Sequence, residues 1–247
     1  ERMLRRCGSF SLRVAREILR DPLDLAFGLG FPLVLLLLLS AIQANVPVEL
    51  FAIARLTPGI MVFGLSFMTL FSALLVSRDR ETALLTRLYT TPLTAAEIIL
   101  GYALPLLPIA LAQSVVTCLA AVALGLPFDV RLLWAVLLQI PAALLFIALG
   151  LLCGSVLGVK PVGGVCGALL TNLTAWLSGA WFDLDLVGGA FKRIADLLPF
   201  VHAVDLERAV LAGQYSGVFP HLWWVLGYAV VTAAAAVLLF LRQMRRG

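Results

Sequence analysis

An all-α, polytopic membrane protein with six transmembrane helices is what this sequence predicts, on three observations. Six long apolar stretches succeed one another with short charged breaks between them: Leu25–Ile42, Leu56–Val76, Ile98–Leu126, Leu132–Leu152, Val162–Ala180 and Trp223–Leu241. A helix rises about 1.5 Å per residue, so about twenty apolar residues cross the hydrocarbon of a bilayer, and each stretch is about that long or longer. The run Leu33–Leu39 is apolar around the whole helix, where a soluble protein would keep a polar face. The chain of 247 residues is 62% hydrophobic and 13% charged, which leaves no room for a second globular domain. Inside lipid every backbone N–H and C=O must be satisfied within the segment or a closed barrel. The alternation of barrel strands is absent.

The chain 1–247 therefore reads as one transmembrane domain. Residues 1–24 form an interfacial helix, 25–180 spans one to five, 181–222 an extracellular re-entrant segment, and 223–247 span six with a basic tail. In the interfacial helix Phe10, Val14 and Ile18 repeat at helical spacing, while Arg13, Arg16 and Arg20 share the opposite face with Glu17. Such a helix lies in the headgroup plane, basic face toward anionic lipid. It ends at Asp21-Pro22, because the residue before proline avoids the α region.

Between spans two and three, residues 77–93 predict a short cytoplasmic helix stopped by Thr91-Pro92. Its Leu84, Leu85, Leu88 and Tyr89 form an apolar stripe that a partner or the membrane surface would cover. Thr94 three residues before Glu97 has the capping-box spacing that opens span three. Pro105 and Pro108 predict a kink in span three, and Pro141 a break in span four. Gly158, Pro161, Gly163 and Gly164 predict a loose hinge before span five. The outer segment holds too many large apolar residues for a free loop. It predicts two short amphipathic helices joined at Pro199 and dipping into the outer leaflet. His202 and His221 there have no metal-ligand spacing and read as interfacial polar residues.

An even number of spans puts both termini on one side. That side would carry thirteen Lys and Arg against five on the other, with seven acids on each. Basic residues stay cytoplasmic, so both termini are expected inside the cell membrane. The net charge of +4 then reflects topology and anionic lipid rather than nucleic acid. No phosphate loop, HExxH or CxxC pattern occurs, so no catalytic residue, metal ligand or cofactor site is expected in this chain. Cys7, Cys118, Cys153 and Cys166 read as small packing residues.

Three stretches together resemble the membrane subunits of type-2 ATP-binding-cassette (ABC) exporters. Arg80, Glu81, Leu88, Thr91, Pro92 and Leu93 look like the family pattern R-E-x-G-T-x-E-x-L-x-x-T-P-L, with Ala83, Leu84 and Thr86 departing from its glycine, threonine and glutamate. Leu177-Ser178-Gly179 with Phe182 is similar to the family's L-S-G-x-x-F. Pro199, Asp205, Arg208 and Gly213 match N-P-x-x-x-x-x-D-x-x-R-x-x-x-x-G, with Leu198 in place of asparagine. The resemblance implies a permease that pairs with a second permease subunit, expected to be an identical chain. Each would dock a separate ATPase that binds ATP and Mg. The interfacial helix and the loop helix would make that joint, with Arg80, Glu81, Leu84, Leu85, Arg87, Leu88, Tyr89 and Pro92 as its contacts. It further implies that spans two and five line the path, which selects Phe63, Phe67, Phe71, Asn172 and Trp176, and that Ser178, Gly179, Pro199, Asp205 and Arg208 shape the outer segment.

No charged residue is expected at the centre of a span, which weighs against an ion-coupled carrier. Neutral polar residues there, such as Ser66, Thr69, Ser72, Gln113 and Gln139, read mostly as interhelical glue. Aromatic and neutral hydrogen-bonding groups in the path suit an amphipathic, lipid-like or drug-like cargo. A polysaccharide or glycolipid exporter is the alternative within the family. An ion-independent carrier or channel, or a membrane scaffold anchoring an ATPase, is the alternative outside it.

Overall fold

Among the described residues every regular element is helical. The computed structural model describes the backbone of residues 2–246 and the side chains of 5–245. Arg2 and Arg246, counted above in the charge bias, have side chains outside the described residues. The order is α1 Arg2–Leu19, α2 Pro22–Asn45, α3 Ile53–Glu81, α4 Leu84–Tyr89, α5 Ala95–Ala123, α6 Val130–Leu138, α7 Ile140–Val156 and α8 Val159–Val162. A π-helix, Gly163–Leu170, follows, then α9 Thr171–Leu177, α10 Leu184–Val187, α11 Gly189–Leu197, α12 Pro199–Leu211 and α13 Val218–Arg246.

Among the described residues five helical stretches are long and apolar enough to cross a membrane: α2, α3, α5, α6 with α7, and α13. The stretch expected as span five is not one helix. α8, the π-helix and α9, of 4, 8 and 7 residues, succeed one another without a gap. Pro161, Gly163 and Gly164 are poor α-formers, so little holds the backbone to i→i+4 bonding there. Span four divides before Pro141 as expected, α6 ending at Leu138 and α7 starting at Ile140. Span three keeps Pro105 and Pro108 inside one 29-residue helix. It opens on the expected capping box, the Thr94 N–H donating to Glu97 Oε2 at 2.6 Å and the Glu97 N–H to Thr94 Oγ1 at 3.3 Å.

α3 is the central post. In its most apolar window 89% of the residues are buried, against 17% in α2 and 28% in α13, so those two helices keep wide uncovered apolar faces. α3 and α7 approach closely because α7 offers glycines: a Cβ on Gly150 would sit 1.8 Å from Ser72 Oγ, and one on Gly154 2.4 Å from the Ala73 carbonyl. Hydroxyls then cross the contact. Thr69 Oγ1 donates to the Phe146 carbonyl at 2.8 Å and Ser72 Oγ lies 3.1 Å from that of Ile147. These are the interhelical ties that small polar residues make in membranes, each contributing of order 1 kcal/mol or less.

The ends of the bundle differ. One gathers α1, α4, the start of α5 and the last turns of α13, and is rich in Arg. At the other, α12 starts at Pro199 and sets Phe200 against Phe146 of α7, ring centroids 5.8 Å apart.

Candidate functional site

At the basic end α1 is bound to the bundle on two sides. Its apolar stripe, Phe10, Val14 and Ile18, is buried. The Phe10 ring meets Tyr102 edge-on at 5.0 Å, over Gly101, where a Cβ would come within 2.2 Å of it. The second tie is polar. Arg13 gives two hydrogen bonds of 2.8 Å to the Asp79 carboxylate, and Tyr102 Oη donates to the same group at 2.6 Å. Arg13 also pairs with Glu17 at 2.9 Å. Donating to Asp79 raises the Arg13 guanidinium above its ordinary value, and burial pushes Glu17 up. Arg16 and Arg20 are exposed, and Arg13, 40% exposed, keeps part of its side chain on their surface while its guanidinium reaches Asp79 on α3. Asp79 and Tyr102 were not legible as partners, since both stand in stretches that read otherwise.

The loop helix α4 is held differently from the expectation. Ala83 before it has φ 58°, the left-handed region that glycine favours, which is the physical content of the family's glycine at that position. Leu85 is buried, and Leu88 and Tyr89 are partly buried against the same core cluster. The protein itself therefore covers much of the stripe that was expected to await a partner. Thr86, Arg87 and Thr90 face outward, as does Pro92 beyond the helix. Arg80 donates to the Ser155 carbonyl at 2.5 Å, and Glu81 Oε1 accepts the Val159 N–H at 3.0 Å, so α3 is tied to the end of α7 and to the start of α8. Arg6 reaches the Pro92 carbonyl at 3.2 Å and joins α1 to the same turn of chain as α4. Tyr89 Oη donates to Gln243 Oε1 at 3.1 Å, and Gln243 Nε2 donates to the Ser155 carbonyl at 2.8 Å.

The residues expected along the path fall into two groups. Phe63 and Phe71 are buried within the chain. Phe63 belongs to an aromatic chain with Phe67, Phe31 and Trp181, neighbouring rings 5.1–6.4 Å apart. Asn172 and Trp176 are exposed on α9, four residues apart on one face, and Asn172 returns a 2.8 Å bond to the Ala168 carbonyl.

At the opposite end Gly179 takes φ 68°, and Ser178 Oγ accepts the Ala180 N–H at 3.3 Å, closing the turn after α9. Arg208 of α12 donates to the Gly179 carbonyl at 2.7 Å, while Asp205 stands 3.4 Å away. The firmer partner of Arg208 is thus a backbone carbonyl, which side-chain spacing along α12 does not reveal. His202 and His221 meet with their Nδ1 atoms 2.9 Å apart, and His202 Nε2 lies 2.7 Å from the Asp196 carbonyl. A carbonyl only accepts, so in the neutral pair His202 carries its proton on Nε2 and His221 donates from Nδ1. His202 also stacks on Trp224 at 4.7 Å. Glu207, which no motif singled out, is 1% exposed and neither carboxyl oxygen has a hydrogen-bond partner. Burial pushes it well above the usual carboxylate range. No cluster of three or more His, Cys, Asp or Glu able to hold a metal occurs among the described residues.

Two comparisons bear on this geometry. A family model described as ABC-2 type transporter matches residues 7–212. "Nodulation protein J" of Rhizobium leguminosarum bv. viciae is 36% identical over 72 residues, a stretch that spans 29% of this chain and 28% of that protein.

Proposed function

The chain belongs to the ABC-2 type transporter family, and from that premise we propose that it is the permease subunit of an ATP-driven exporter whose ATPase is a separate chain. The basic end is its cytoplasmic side, where the ATPase docks on the outward side of α4. The observation that carries this is the mounting of α4. Its buried Leu85 and half-buried Tyr89 fix the helix on the core, and Thr86, Arg87 and Thr90 point away from it. A helix so anchored can transmit a push, which a free loop cannot.

A second copy of the chain completes the pathway, meeting the first across the uncovered faces of α2 and α9. Asn172 and Trp176 lie on the latter. The cargo is amphipathic, lipid-like or drug-like, since the exposed faces are apolar with few hydrogen-bonding groups. A glycolipid or polysaccharide is the second reading, favoured by Trp176 beside Asn172. A flat ring next to a carboxamide suits one face of a sugar, the ring stacking and the amide hydrogen-bonding.

The test is co-purification. Co-expressed with a candidate ATPase subunit, the wild-type chain should retain that partner in detergent, and Arg87→Glu should release it without loss of folded permease. Retention by Arg87→Glu/Thr90→Glu would sink the docking face. Reconstituted complexes offered a fluorescent phospholipid or an oligosaccharide would then separate the two cargo readings by which one stimulates ATP hydrolysis.

A further inference from the structure

The last turns of α13 join α4 through one side chain. Gln243 bridges Tyr89 Oη on α4 and the Ser155 carbonyl near the end of α7, at 3.1 and 2.8 Å. Its orientation is determined by chemistry. The Ser155 carbonyl can only accept, so Nε2 must face it. Oε1 then faces Tyr89, whose hydroxyl must donate. Burial pushes the Tyr89 phenol up, so the hydroxyl keeps its proton at neutral pH. Arg80 of α3 donates to the same Ser155 carbonyl, so four elements converge on two polar atoms and one amide. Around them Leu88, Tyr89 and Met244 pack against the same apolar cluster as Phe240. Apolar packing is non-directional and tolerates sliding, whereas hydrogen bonds weaken steeply when bent. The directional part of the joint between α4 and the last span therefore lies in Gln243.

We propose that Gln243 is a positioning residue for coupling: it carries displacement of α4 into α13 and α7, so the end of the last span is a working part of the ATPase-driven stroke. This rests on the reading of α4 as the docking helix.

A structural tie and a coupling tie differ in what they move. Loss of a merely structural tie lowers yield and melting temperature, and leaves the response to nucleotide unchanged in whatever protein survives. Trp223 and Trp224 lie at the far end of the same helix, so they report its motion. The permease would be labelled with fluorotryptophan, purified with its ATPase and followed by fluorine resonance before and after a non-hydrolysable ATP analogue. In the wild type the Trp223 and Trp224 lines should shift. Tyr89→Phe, which removes only the hydroxyl, and Gln243→Leu should each reduce the shifted population about fivefold, the worth of one net hydrogen bond. The double variant should do no more harm than either alone, with ATPase retention and melting temperature unchanged. Shifts of wild-type size in both variants would overturn the inference while leaving the docking reading intact. Equal loss of melting temperature and shift would reduce Gln243 to a fastening. A wild-type permease that retains no ATPase would overturn the docking reading, and this inference with it.

Discussion

Asp79 at the basic end and Glu207 at the opposite end are covered almost equally, at 2% and 1% exposure. Asp79 receives two bonds from Arg13 and one from Tyr102, drawing α1, α3 and α5 onto one carboxylate. Glu207 receives none, and sits in α12 against apolar neighbours. A buried carboxylate becomes a joint only when donors satisfy it. Without them burial simply favours the neutral form. The basic end is thus held by charge, and α12 is held by packing, by the Arg208 tie to Gly179 and by the histidine pair.

That contrast can be broken most forcefully at Arg13. Arg13→Ala leaves the buried Asp79 carboxylate with Tyr102 as its remaining side-chain donor; because the Arg13 side chain is 40% exposed, the loss falls below the roughly 3–5 kcal/mol of a fully buried pair. A sharp fall in folded yield is expected, with α1 becoming protease-sensitive. Arg13→Ala/Asp79→Asn should recover part of the loss. Equal yields for wild type and Arg13→Ala would show the joint to be ornamental.

Arg208→Ala comes next. It removes a charged donor from the Gly179 carbonyl, a bond of about 1.5–3 kcal/mol. Because Asp205 stands at the longer distance, Asp205→Ala should be mild, and the double variant should match Arg208→Ala alone. A double variant clearly better than the single would mean that the ion pair, and not the carbonyl, is what Arg208 serves.

Glu207 offers the opposite sign. Its pKa in the fold is raised by burial, so above the ordinary carboxylate value of about 4.3 the unfolded chain releases a proton that the folded one keeps. Wild-type stability should therefore decline as pH rises from that value toward the raised one. Glu207→Gln should flatten the decline and melt no lower than wild type at pH 7. Strong destabilisation by Glu207→Gln would mean that the carboxyl has a partner in the working protein.

The smallest effect is expected at His221. Its Nδ1–H donates to His202 Nδ1 across 2.9 Å, one neutral hydrogen bond worth about 0.5–1.5 kcal/mol. His221→Phe should make α11–α12 slightly more sensitive to proteolysis and leave the folded yield unchanged. A variant cleaved at the wild-type rate would show that the histidine pair does not help to hold α12.

Much of the architecture could be read in the residues because membrane burial leaves a composition signal. The apolar runs of α2, α3, α5, α6–α7 and α13, the Phe10–Val14–Ile18 stripe and the Thr94–Glu97 cap are all local. What stayed hidden depends on distance along the chain. The stripe of α4 shows that something covers Leu85, but not whether the cover is a partner or the protein's own core. Arg13 and Asp79 lie 66 residues apart, and only the fold tells that they meet. Glu207 stands beside Asp205 and Arg208, the two residues that the motif singles out, and nothing local marks it as the buried carboxylate of α12.

The π-helix Gly163–Leu170 gives this last point an evolutionary edge. An α-helix turns about 100° per residue, and a π segment holds its extra length in wider i→i+5 turns. A one-residue deletion such as loss of Gly164 should let the segment relax to ordinary pitch without shortening the rest of the span. Everything beyond would then keep its place, because the wide turn had absorbed the extra residue, and Asn172 and Trp176 would stay on the same face. An indel in the wide turn is thus a change of length that the span takes up locally, without turning the helix beyond it.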